Sequence, residues 1–114
     1  MSDKQRIIQE FVPGKQVTLA HIVAHPDPQL YPKVGLQAAP GAAIGVLTIT
    51  PSEAAIIAGD LATKASDVEL GFVDRFSGSV VVLGRLADVD QAVRNVVDGL
   101  CDGLGFARPP LTRS

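Results

Sequence analysis

Residues 43–105 carry the hydrophobic pattern of a βαββαβ fold that lacks its last strand. Residues 43–50 are an apolar, β-branched run, and a helical pattern follows them directly. Alternation from Val68 predicts a strand with Val68, Leu70 and Phe72 on one face. Ser77-Gly78 predicts a two-residue hairpin turn, and residues 80–83 predict the second strand of the hairpin. A second helical pattern follows. This order is a split βαβ unit, and it leaves one edge of its sheet open.

A strand that can close this edge precedes the unit in the sequence. Residues 16–24 predict a strong strand, and residues 27–34 predict a short helical turn. We therefore predict an α/β (α+β) fold with a ferredoxin-like sheet whose final strand comes first, which is a circular permutation. The chain has 114 residues, the size of one domain. Residues 35–42 are predicted to be a connector, and residues 107–114 an extended or frayed tail.

Both predicted helices begin with residues that are typical of helix N-termini. Thr50 is expected to cap the first, with Pro51 at the first helical position and Glu53 closing a capping box. The second is expected to begin at Asp88. The expected buried stripes, recognised by helical spacing, are Ala54, Ile57, Ala58, Leu61 and Ala65 in the first helix, and Val89, Ala92, Val93, Val96, Leu100 and Leu104 in the second.

The composition limits the classes of function that this chain can have. Hydrophobic residues make up 46% of the chain and charged residues 19%, so either the core is unusually rich or apolar surface is buried against other chains. The net charge of −2 and the scarcity of aromatic residues argue against a nucleic-acid partner. We also expect no membrane span and no signal peptide, which together favour a cytoplasmic protein.

The residues that could carry chemistry do not form a recognisable active site. His21 and His25 are four residues apart, but the sequence offers only Asp27 nearby as a further ligand, which favours structural histidines over a metal site. Cys101 stands among acidic neighbours that raise the pKa of a thiol, so we expect a packed thiol rather than a nucleophile. We predict no catalytic residue, no metal and no cofactor.

The chain nevertheless resembles a known family over most of its length. Residues 6–26, 43–45, 50–51, 57–61 and 71–78 are similar to bacterial microcompartment shell proteins of the circularly permuted, single-domain type. The similarity is greatest to the S-type of ethanolamine-utilisation compartments and the U-type of propanediol-utilisation compartments. This resemblance implies a non-enzymatic tile that forms cyclic homohexamers. It also implies a place in a shell within the cytoplasm, with other shell proteins and the enclosed enzymes as partners.

The same resemblance implies roles for individual residues. Ser77, Gly78 and Ser79 match the hairpin that surrounds the sixfold axis and lines its pore, and Lys64 matches a lysine at the hexamer edge. An N-terminal strand is implied to join its symmetry mates in a parallel β-barrel that caps the pore; it comprises Arg6, Ile7, Ile8, Gln9, Glu10, Phe11 and Val12. The chain would then divide into residues 1–13, the permuted domain at residues 14–106, and a tail at residues 107–114.

Two alternatives of other classes remain open. A ferredoxin-like sheet also suits a regulatory module that binds a small metabolite, since this fold supports many functions. An enzyme is the weaker alternative because no catalytic constellation is apparent in the sequence.

Overall fold

The computed structural model of the protein describes residues 14–114. In chain order its elements are β1 (Gln16–Val23), α1 (Leu30–Lys33), β2 (Ala43–Thr50), α2 (Ala54–Ala65), β3 (Glu69–Asp74), β4 (Ser79–Gly84), α3 (Leu86–Asp98) and β5 (Leu111–Arg113). A π-helical turn, Gly99–Gly103, continues α3. Among the helices of residues 14–114, none has the length and apolar content needed to cross a membrane.

The five strands form one sheet in the order β3-β4-β2-β1-β5. Neighbouring strands pair antiparallel, except that β5 lies parallel to β1. β1 occupies the position beside β2 that the last strand takes in an unpermuted ferredoxin-like sheet. The predicted circular permutation is therefore confirmed.

The helices α2 and α3 cover one face of the sheet and bury the main core. Glycines allow close approach on this face: Gly45 of β2 lies under α3, and Gly59 of α2 lies against β3. The largest fully buried side chains all belong to this layer: Ile22, Leu47, Val80, Val82, Val89, Val93, Val96 and Leu100. Valines and small residues dominate, so the helices pack close to the sheet.

Within residues 14–114, the opposite face of the sheet is covered at one end, by α1 and the connector that follows it. A second core forms there from six buried residues: Tyr31, Leu36, Ala42, Ile44, Val81 and Leu83. The hydroxyl of Tyr31 donates a hydrogen bond to the carbonyl of Ala42, so its polar end is satisfied. The helical turn predicted within residues 27–34 is confirmed at Leu30–Lys33.

The helix α2 begins later than the capping residues predict. β2 continues through Thr50, which pairs with Gln16 of β1, and residues 51–53 form a turn before the helix. No side-chain hydrogen bond caps α2, so the predicted capping box of Thr50 and Glu53 is wrong. The sheet pairing of Thr50 has taken precedence over its capping propensity.

The buried face of α2 is also rotated from the predicted stripe. Ile57 is 44% exposed, although its spacing predicts burial. The face that meets the sheet consists of small residues only: Ala54, Ala55, Ala58, Gly59 and Ala62. These residues let the helix lie close to the strands, and the larger isoleucines are left outside.

The helix α3 begins at Leu86, two residues before the predicted start. Asp88 lies in its first turn and accepts a hydrogen bond from Arg85, whereas Asp90 pairs with Arg94. The stripe is confirmed as far as Leu100. Leu104 is 46% exposed because the π-helical turn interrupts the α-helical period before it.

A β-bulge in β3 changes which of its side chains share a face. The register shifts between Leu70 and Phe72, so Gly71 is an extra residue in the strand. Leu70 and Val73 therefore face α2, while Phe72 faces the opposite side. The prediction that Leu70 and Phe72 share a face is wrong for this reason.

The C-terminal residues form an edge strand of the sheet. β5 pairs with residues 20–22 of β1, and further backbone hydrogen bonds join Ala24 to Ser114 and Val17 to Ala107. Of the two states predicted for the tail, extended or frayed, the structure shows an extended and paired strand. The edge that β1 would leave open is therefore covered.

Candidate functional site

The hairpin between β3 and β4 brings together the three residues that the resemblance assigns to a pore. Asp74 pairs with Ser79 across a four-residue loop, Arg75–Gly78, so the predicted two-residue turn is wrong in length. The N–H of Gly78 donates to the Asp74 carbonyl at 2.8 Å. The hydroxyl oxygens of Ser77 and Ser79 lie 3.0 Å apart at the tip.

Gly78 fixes this hairpin against the end of β2. Its φ of +78° lies in the left-handed region that favours glycine. Its carbonyl accepts a hydrogen bond from the N–H of Ile49 at 2.9 Å. A Cβ at position 78 would overlap the carbonyl oxygen of Ile49. The position of the tip is thus set by a backbone contact that only glycine permits.

The carboxylate of Asp74 orders the loop from its other end. Its Oδ1 accepts hydrogen bonds from the N–H groups of Phe76 at 2.9 Å and Ser77 at 3.4 Å. The bond from Phe76, followed by those from Ser77, lowers the pKa of the Asp74 carboxyl from its ordinary value. The ionised form of Asp74 is therefore the form that stabilises the loop.

Acidification is expected to loosen the hairpin tip. Because the pKa of Asp74 is lowered by folding, its contribution is present above the ordinary value of 3.8 and is lost as the pH falls through the folded value. Amide exchange at Phe76 and Ser77, corrected for the intrinsic effect of pH, should accelerate over this range. Asp74→Asn should abolish that dependence, while Asp60→Asn should leave it intact. An unchanged dependence in Asp74→Asn would contradict the assignment.

Two further residues of the loop were not assigned a role from the sequence. Phe76 is 81% exposed, more than any other large apolar residue in the part of the chain that the structure describes. The guanidinium of Arg75 lies 4.8 Å from the centroid of the Phe76 ring, which is a cation–π distance. An aromatic residue in a short loop was the only signal, and it does not by itself indicate exposure.

A second exposed apolar surface lies along β3 and α2. A Cβ at Gly59 would be 3.1 Å from Val73 and 3.7 Å from Leu70, so strand and helix are close here. Leu70 and Val73 nevertheless remain 42% and 36% exposed, and Ile56, one helical turn before Gly59, is 57% exposed. We call Ile56, Leu70 and Val73 the β3 edge surface. An apolar surface on an edge strand is typical of a protein–protein contact.

Lys64 lies near the C-terminal end of α2 with its side chain largely exposed. Its Nζ is 2.9 Å from Oδ2 of Asp60, which forms an i,i+4 ion pair on the helix surface. Such a surface pair contributes little to stability, so Lys64 remains available for other contacts. Its role at a hexamer edge stays a prediction.

His21 and Cys101 lie in structural settings. The ring nitrogens of His21 contact the hydroxyls of Thr112 and Ser114. Within residues 14–114 no group of three potential ligands is placed to hold a metal ion. Burial is the main cause that raises the pKa of the Cys101 thiol; Asp102 and Asp98 also raise it, and Arg108 lowers it. The predicted direction for Cys101 is confirmed, with burial as a larger cause than the acidic neighbours.

The predicted barrel strand, residues 6–12, lies outside the described residues. Its part in a β-barrel, and the division of the chain at residue 13, stay predictions. The start of the described part is held by a hydrogen bond, in which Nζ of Lys15 donates to the carbonyl of Leu104 at 2.7 Å. The first strand is thereby tied to the end of the π-helical turn.

Comparison with known proteins finds close relatives over almost the whole chain. The family described as the BMC domain matches residues 43–105. The chain is 54% identical to the bacterial microcompartment shell protein EutS of Escherichia coli (strain K12), covering 98% of this chain and 99% of EutS. It is 53% identical to the shell protein PduU of Salmonella typhimurium (strain LT2), covering 96% and 93%. Among solved structures, the CutR flat hexamer superposes with a TM-score of 0.85 at 45% identity, covering 96% of this chain and 99% of CutR.

Proposed function

The chain belongs to the family of bacterial microcompartment shell proteins, and from this membership we propose that it is a structural tile assembled as a cyclic homohexamer. A cyclic ring repeats one heterologous contact until it closes. Such a protein needs complementary surfaces on each copy and needs no catalytic group. Its location is accordingly the shell of a microcompartment in the bacterial cytoplasm.

The structural observation that best supports the proposed hexamer is the exposed β3 edge surface. Ile56, Leu70 and Val73 are large apolar side chains that a single chain leaves 36–57% exposed. Leu70 and Val73 lie on β3, which among the described strands is the end of the sheet opposite to β5, and Ile56 lies beside them on α2. Contact with a neighbouring copy would remove them from water and would use the apolar excess of the composition.

The remaining site residues take places around this ring in the proposal. The tips formed by Ser77, Gly78 and Ser79 of the copies surround the axis, and their support is the rigid attachment of Gly78 to β2. Lys64 faces a neighbouring tile, supported by its exposure at the end of α2. Residues 6–12 form the capping barrel, which rests on resemblance to the permuted type alone.

We further propose that the chain has no turnover of its own. Its partners are then other copies, other shell proteins, and the enzymes that the shell encloses. The alternative of a metabolite-binding regulatory module is not supported, because EutS and PduU are both named as shell proteins. The structural settings of His21 and Cys101 are consistent with a shell protein that has no catalytic role.

The assembly is testable by light scattering coupled to size exclusion. The wild-type protein is expected to have six times the chain mass of 11.9 kDa, and Ile56→Glu is expected to yield monomers because it places a charge in the proposed contact. Leu104→Glu is the matched control, since Leu104 is also half-exposed but lies beyond α3. A monomeric wild-type protein at micromolar concentration would contradict the tile. An Ile56→Glu variant of unchanged mass would contradict the assigned contact surface.

A further inference from the structure

One side chain of β1 holds two residues of the C-terminal segment. His21 stands opposite Thr112 in the register of β1 and β5. Its Nδ1 lies 2.6 Å from Oγ1 of Thr112, and its Nε2 lies 2.8 Å from Oγ of Ser114. Both ring nitrogens of His21 therefore form hydrogen bonds with the C-terminal segment. The function of a tile does not require these two contacts.

The direction of these hydrogen bonds follows from a third group. Oγ1 of Thr112 also lies 3.3 Å from the carbonyl of Ala20, which can only accept. Thr112 therefore donates its proton to Ala20 and accepts from the N–H of His21 Nδ1. Nε2 of His21 forms the second hydrogen bond, with the hydroxyl of Ser114.

Besides the backbone hydrogen bonds to β1 and the partial packing of Leu111 against the main core, the other contacts of residues 111–114 are weak. β5 is three residues long and parallel to β1, the less stable mode of pairing. Arg113 reaches Asp90 at 3.2 Å, but such an exposed ion pair contributes little. The preceding segment is anchored separately, because Arg108 pairs with Asp98 and Asp102. The strand can therefore lift while the segment before it stays attached.

We propose that His21 is the clasp that keeps residues 111–114 on β1, and that lifting this strand makes the β1 edge an acceptor for residues 111–114 of a second copy. The occupant is set by complementarity. A second copy brings the same Thr112 and Ser114 hydroxyls to His21 and the same backbone groups to Ile22 and Ala24. Exchange of one identical element between copies costs little, because every hydrogen bond that breaks within one copy forms again between two copies. The exchanged strand uses the opposite edge of the sheet from the β3 edge surface.

Amide hydrogen exchange tests the clasp. His21→Phe keeps a ring but removes both nitrogens, and the Ala24 and Ser114 amides should exchange about tenfold faster because two hydrogen bonds are removed. His25→Phe is the matched control, since His25 is exposed just beyond β1. Thr112→Val should reproduce the effect from the other partner. Wild-type exchange rates in His21→Phe, equal acceleration of the central strands, or no effect of Thr112→Val would each overturn the clasp.

Light scattering tests the occupant. His21 holds the strand equally within one copy and between two copies, so the wild-type protein is expected to form species of twice its usual assembly mass on incubation at high concentration, and His21→Phe is expected to reach the same fraction of them sooner. Removing residues 111–114 should abolish these species, because the donor strand is gone while the β1 edge stays exposed. Larger species that persist after the truncation, or that fail to form at any concentration, would overturn strand exchange. Neither outcome bears on the hexamer, whose contact is tested at Ile56.

Discussion

Replacing Gly78 with alanine is expected to lower the free energy of unfolding by about 1.5–3.5 kcal/mol and to detach the hairpin tip from β2. The φ of +78° alone costs a residue with a side chain about 1–2 kcal/mol. The new Cβ would also overlap the carbonyl of Ile49, which is backbone and cannot move aside. Relief of that overlap breaks the bond from the Ile49 N–H to Gly78, worth about 0.5–1.5 kcal/mol.

Gly41→Ala separates the two causes. Gly41 has a φ of +80°, yet no atom lies within 4 Å of the position that its Cβ would take. This control should therefore show only the conformational cost, about 1–2 kcal/mol, in urea denaturation. Equal losses of stability in the two variants would mean that the contact with Ile49 contributes nothing and that the hairpin is not fixed as described.

Replacing Gly45 with alanine is expected to destabilise the protein by about 1–3 kcal/mol through overpacking. The added Cβ would be 2.8 Å from methyl groups of Val82 and Val93 and 3.0 Å from one of Val89. All three valines are fully buried. The methyl groups have no free volume to enter, so α3 has to move away from the sheet.

A double variant identifies this mechanism. Val93→Ala on its own leaves a cavity and destabilises the core. Combined with Gly45→Ala, it should cost less than the sum of the single changes, because the new methyl group fills part of the vacated space. Gly103→Ala, with no atom within 4 Å, is the neutral reference in the same urea titrations. Strict additivity of the two core changes would contradict a steric conflict between α3 and β2.

The strand order could be predicted because the relevant signals are local and strong. β2 matches its predicted bounds, since the β-branched run from Ala43 to Thr50 has no competing helical pattern. The permutation followed from counting elements, as one strand was missing and one stood before the unit. The start of α2 was mispredicted because the capping propensity of Thr50 competes with its pairing to Gln16, which is a long-range contact.

The surfaces were harder to predict than the strand order. The hairpin residues Ser77–Ser79 came from resemblance, but the exposure of Phe76 depends on the loop being two residues longer than its turn signal indicates. The β3 edge surface depends on the bulge at Gly71, which places Leu70 and Val73 on the same side. The alternating sequence pattern gives no sign of this bulge. The pairing of β5 needs the β1 edge as its partner, so the segment after Pro109 and Pro110 carries little strand signal of its own.

The helices α2 and α3 lie on one face of the sheet only, and this has a consequence for a wall built from such tiles. Copies related by rotation about one axis all turn the same face the same way. No such rotation exchanges the helix-covered face of the sheet with the face that carries α1 in residues 14–114, so the two sides of the tile differ. Molecules that arrive from outside and from inside the compartment therefore meet different chemistry. The barrier is therefore different on its two sides, although it is built from copies of one sequence.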